Sequence, residues 1–102
     1  MAKIKVLIKE PGKLARFEKI ENSIEEFQRI VGGYIEPISI ASDLVILCDE
    51  DGKMKGLAPS VIVGALEIVG TVIFVGKKNQ RFTNIPLNRA DLENTFPHLF
   101  RR

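Results

Sequence analysis

One histidine and one cysteine, His98 and Cys48, stand fifty residues apart in this chain of 102 residues. That is too small a set of imidazole and thiolate ligands for a structural zinc site. Cys48 closes an apolar run and reads as a buried, inert thiol. His98 sits in a terminal tail with no carboxylate nearby to orient it, so neither Cys-His nor Ser-His-Asp chemistry has support. Asp49-x-Asp51-Gly52 matches a fragment of a calcium loop but lacks the bidentate glutamate downstream, and reads as a solvated hairpin tip. The carboxylates Glu25, Glu26, Glu36, Asp43 and Asp49 to Asp51 follow helix-face and turn spacing, which gives no signal for paired-carboxylate catalysis. Gly32-Gly33 follows a helix, whereas phosphate-binding glycines precede one, so their polarity marks a helix stop. Lys77, Lys78 and Arg81 cluster at a turn, and Lys3, Lys5 and Lys9 decorate one strand; both groups read as solvated faces that keep edges soluble. Phe82 is the one aromatic beside these cations, too few for a single-strand nucleic-acid platform. An enzyme, a metal and a cofactor are therefore not expected, and nucleic acid ranks low.

The elements that must position these residues belong to one domain over residues 1–102, long enough for one core. Hydrophobic residues make up 45% and charged residues 27%, the balance of a self-folding globular chain. Fifteen basic and 13 acidic residues leave a net charge of +2, too balanced for bulk attraction to nucleic acid. A single cysteine and a start without an apolar signal core point to the reducing cytoplasm. The apolar stretch from Ala58 to Val75 is broken by Pro59, Ser60, Gly64, Glu67, Gly70 and Thr71, and is unsuited to a membrane helix.

Alternation in Lys3 to Lys9 predicts a half-buried strand with Ile4, Val6 and Ile8 on one face. Glu10-Pro11-Gly12-Lys13 turns the chain into a return strand over Leu14 to Ile20. Asn22 followed three residues later by Glu25 predicts a helix start, and Ile24, Phe27, Ile30 and Val31 form its apolar stripe up to Gly32. Tyr34 to Ile40 reads as a strand demoted to an edge or bulge by Pro37. Leu44 to Cys48, apolar on both faces, is placed centrally. Asp51-Gly52 predicts a small hairpin returning over Lys53 to Leu57. Ser60 to Gly64 stays open between a helical turn and an irregular crossing. Leu66 to Val75 is expected to be one long core strand with a bulge at Gly70, followed by a polar turn over Gly76 to Gln80 and a short strand at Arg81 to Thr83. Asn88 with Asp91 predicts a short C-terminal helix presenting Leu92 and Phe96 to the core and stopped by Pro97. The fold class is α+β: a small, mostly antiparallel sheet of about five to six strands with one central amphipathic helix and a short C-terminal helix.

The run Glu25-Glu26-Phe27-Gln28-Arg29-Ile30-Val31-Gly32-Gly33-Tyr34-Ile35-Glu36, followed by Asp49 to Pro59, resembles the family catalogued as domain of unknown function 3846. The likeness starts at the Lys-Val-Leu strand with Glu10-Pro11-Gly12 and continues through Ile68-Val69-Gly70-Thr71. The family departs from this chain after Pro59, where Ser60-Val61 stand, and it supplies no catalytic residues to carry over. The family is common in phages and mobile elements, so the resemblance implies a small non-enzymatic accessory protein acting in the host cytoplasm. It also implies a homo-oligomer that sequesters a small anionic, nucleotide-like immune signal or, alternatively, a module that inhibits a host enzyme. For a ligand of that kind the bare Gly33 backbone beside Tyr34, an aromatic able to stack on a base, is the expected pocket wall. Lys53 and Arg81 are the expected phosphate partners, given a fold that brings them near.

Overall fold

The computed structural model describes residues 2–101. Strands β1 (Lys3–Lys9) and β2 (Arg16–Glu21) pair antiparallel, with Leu7 opposite Phe17. The amide of Lys13 donates to the carbonyl of Glu10 at 3.2 Å, closing the expected turn. Helix α1 (Ile24–Val31) starts one residue later than the sequence suggests, because Ser23 is the cap: its hydroxyl accepts the Glu26 amide at 3.2 Å. Asn22 is drawn away, its side-chain amide donating to the carbonyl of Phe82 at 2.9 Å. Glu26 thus takes the third helical position that Glu25 was expected to hold, and its carboxylate accepts from Arg29. Phe27 and Val31 are buried while Ile24, expected on the same stripe, is exposed, since the helix meets the sheet only from Phe27 onward. Gly32 ends the helix at φ 88°, its amide donating to the carbonyl of Gln28 at 2.8 Å.

Strand β3 (Ile35–Ala41) lies at the sheet edge, and a bulge interrupts its register between Ser39 and Ala41, in keeping with Pro37. Strand β4 (Leu44–Asp49) is central and every one of its residues is buried. The expected return strand over Lys53 to Leu57 does not form. The amide of Asp51 and the ammonium of Lys55 both bond back to the Asp49 carboxylate, so residues 50–57 coil into successive turns. The open segment resolves into β5 (Pro59–Val63), hairpinned to β6 (Leu66–Val69) in a separate two-stranded sheet.

The predicted long strand over Leu66 to Val75 is therefore two strands. Gly70 divides them at φ 78°, and any Cβ there would lie 2.7 Å from Leu57 Cδ1. Strand β7 (Val72–Lys78) begins beyond it and runs further than expected, so the turn shrinks to Asn79 and Gln80, both at positive φ. Strand β8 (Arg81–Thr83) pairs with β7, and helix α2 (Arg89–Thr95) carries the full Asn88–Asp91 capping box. A 3₁₀ turn, Pro97–Leu99, follows.

The main sheet runs β2-β1-β7-β4-β3, antiparallel at every pairing, with β8 also on β7. Helix α1 covers one face through Phe27 and Val31 against Val6, Val45, Leu47, Ile73 and Val75. The β5–β6 hairpin, α2 and the 3₁₀ turn cover the other, where Phe74 meets Phe96 edge-on at 5.7 Å. The architecture is the α+β class read from the sequence.

Candidate functional site

Asp49 ends the central strand with its side chain 2% exposed, and Lys55 Nζ sits 2.6 Å from its Oδ2. The Asp51 amide donates to Oδ1 at 2.9 Å, and the same ammonium donates to the carbonyl of Gly32 at 3.4 Å. Burial alone would raise the Asp49 carboxyl, but the hydrogen bonds from Lys55 and Asp51, with the Lys55 charge, hold it below the usual range. Gly33 lies against this pair: a Cβ added there would stand 2.8 Å from both Asp49 Oδ2 and Lys55 Nζ. Gly32 and Gly33 thus have separate duties, the first a left-handed helix stop and the second a flat surface for a half-buried ion pair. The clamp joins the end of α1 to the 50–57 turns, the two segments that carry the family likeness.

Two hollows flank it. One, of about 280 Å³, is floored by Ile38, Cys48, Ile68 and Val69 and edged by Met54 and Leu66. Its polar rim is Glu36, Asp49, Glu50, Glu67 and Lys53. Because Asp49 is neutralised by Lys55, among the described residues three carboxylates face the Lys53 ammonium, and the rim is net acidic. Met54 is 90% exposed and Leu66 40% exposed, so the apolar surface continues out of the hollow. The second hollow is shallower and is formed by Gln28, Gly33, Tyr34, Asp51 and Lys55. Tyr34 is 70% exposed there, its carbonyl held by the Glu50 amide at 2.9 Å.

Of the four residues expected to share a pocket, only Gly33 and Tyr34 meet. Lys53 lines the acidic hollow, and Arg81 lies on the β7–β8 hairpin with Lys78, Asn79, Phe82 and Thr83. The cation beside Tyr34 is Lys55, already bound to Asp49, and Asp51 adds a negative charge. Sequence reasoning missed Lys55, because i,i+6 spacing is not a helical or strand pairing. It also missed Glu36, Met54, Leu66 and Glu67, whose only local sign is a methionine set among charged turn residues.

Cys48 is buried, its thiol pushed up to about 11 by burial, then by the charges of Glu36 and Asp49. It is a weak nucleophile at neutral pH. Among the described residues no group of three or more His, Cys, Asp or Glu converges in a way that could hold a metal ion. Among the described residues no helix is long and apolar enough to cross a membrane.

Fold and site together define a small antiparallel α+β domain carrying a hollow that is apolar at its floor and acidic at its rim. Comparison with protein families matches residues 4–97 to a domain of unknown function (DUF3846), and the chain belongs to that family. No curated protein and no solved structure matches it.

Proposed function

We propose that this protein is a non-enzymatic binding module that takes a basic, apolar segment of a partner protein into the acidic hollow. The observation that carries the reading is the join of exposed apolar side chains, Met54 and Leu66, to an apolar floor rimmed by Glu36, Glu50 and Glu67. Apolar area supplies affinity in such a site, and the carboxylates select a cationic partner and speed its approach. An anionic nucleotide would meet repulsion at this rim. At Tyr34 it would find neither Lys53 nor Arg81. The geometry therefore favours the protein-interaction alternative over sequestration of a nucleotide at these four residues. The resemblance to phage and mobile-element proteins makes a host protein the natural partner, with inhibition of a host enzyme as the consequence.

Selection from a random dodecapeptide display library tests this. Enriched peptides should combine Lys or Arg with a large apolar residue, bind more weakly as salt is raised, and lose about tenfold or more in affinity to Met54→Asp or Glu67→Lys. Acidic consensus peptides, or affinities unchanged by both substitutions, would sink the reading.

A further inference from the structure

At the far end of β1 the chain forms a hollow of about 320 Å³ from Lys9, Gly12, Lys13, Leu14, His98 and Arg101. It shares no residue with the two hollows beside Asp49. Its charge balance is the opposite of theirs: two lysines, an arginine and an imidazole line it, and among the described residues no carboxylate does. Lys9 is the most informative member. Alternation along β1 predicts a solvated side chain, yet the residue is only 6% exposed. Among the described residues its ammonium makes one hydrogen bond, to the carbonyl of Glu10 at 2.7 Å, although it carries three protons. The nearest acid, Glu10, turns its carboxylate to Arg16 at 2.8 Å and reaches Lys13 only at 3.9 Å.

Grouping cations in a partly buried hollow is unfavourable unless an anion completes it. Burial, and then the charge of Lys9, push the His98 imidazole below its ordinary value; burial lowers Lys9 as well, and the charge of Glu10 opposes that shift without reversing it. The volume is within the range of small-ligand sites. Leu14, 41% exposed, supplies an apolar wall beside the cations. We propose that this hollow is a binding site for a soluble phosphate monoester, with Lys9, Lys13 and Arg101 on the phosphoryl oxygens and the organic group against Leu14.

The test is an amide NMR titration of the full chain with inorganic phosphate and with phenyl phosphate at equal ionic strength. Saturable shifts should centre on Gly12, Lys13, Leu14, His98 and Leu99, and the His98 pKa should rise as phosphate fills the site. Phenyl phosphate should bind more tightly than inorganic phosphate, and Leu14→Ser should erase that preference. Lys13→Ala and Arg101→Ala, both at exposed positions, should each weaken binding about tenfold while leaving the spectrum of the fold intact. Non-saturating shifts spread over all surface lysines, or affinities unchanged in both variants, would overturn the site. Equal binding of the two probes in both wild type and Leu14→Ser would overturn the organic-ester assignment. So would sedimentation with phosphatidic acid vesicles in the absence of binding to either soluble probe.

Discussion

Removing Lys55 while keeping its carboxylate should be far more damaging than removing the carboxylate. In Lys55→Met the Asp49 side chain, 2% exposed, retains only the Asp51 amide as a polar partner. An ionised carboxylate left in that position costs about 2–4 kcal/mol, somewhat below the range for a wholly buried pair because Lys55 itself is 43% exposed. In Asp49→Asn the amide oxygen can still accept from Asp51, and the freed ammonium can swing into water, so the expected cost is about 1 kcal/mol. For a domain of this size Lys55→Met should lower Tm by roughly 10–25 °C. The pH dependence separates this account from a simple loss of packing. In the wild type the Asp49 pKa is depressed, so its contribution to stability is complete above the unfolded-state value near 3.8 and is lost as pH falls through the folded value. Without Lys55, burial dominates and the folded pKa rises, so the penalty fades as the carboxyl protonates. Urea denaturation should therefore show the gap between wild type and Lys55→Met narrowing from pH 7 to pH 4. Equal costs for the two variants, or a gap independent of pH, would refute the clamp.

The two glycines of the signature should respond differently to alanine. Gly32→Ala should cost about 1–2 kcal/mol from left-handed backbone alone, whereas Gly33→Ala should cost about 1–3 kcal/mol by displacing the ion pair; a double-mutant cycle in urea should show Gly33→Ala coupled to Lys55→Ala and Gly32→Ala uncoupled. Gln80→Gly should stabilise the β7–β8 hairpin by about 0.5–1 kcal/mol, because Gln80 holds φ 66° in a two-residue turn; a fall in Tm would contradict this. Cys48 should resist a thiol-specific disulfide reagent at pH 8 in the native state and react within minutes in urea, and rapid native labelling would contradict its burial.

Much of the fold was legible because its signals are local. Period-two alternation marked β1, apolarity on both faces marked β4 as central, and Asn88 with Asp91 marked α2. Reading failed where two segments compete for one partner. Val61 to Val63 and Leu66 to Val75 are rich in strand-forming residues, but the boundary between the two sheets is set at Gly70, where positive φ, the amide hydrogen bond to the Ala58 carbonyl and the close approach of Leu57 come together. Asp51-Gly52 is hairpin chemistry, yet the bonds of Lys55 and Asp51 to Asp49 coil the segment instead. Lys9 looked solvated because alternation says which side of a strand a residue takes, and not whether a distant tail will pack there.

By itself the sequence determined the α+β class, the helix stop at Gly32-Gly33, the demotion of the Pro37 strand to an edge or a bulge and the family likeness, all of which follow from backbone sterics and short-range periodicity. Only the tertiary structure decided that Gly33 serves an ion pair, that Lys53 and Arg81 lie away from Tyr34, and that acidic and basic hollows form at separate places. Charge groups into sites through contacts between residues far apart in the chain, and such contacts depend on how sheets and turns pack, which local pattern does not encode.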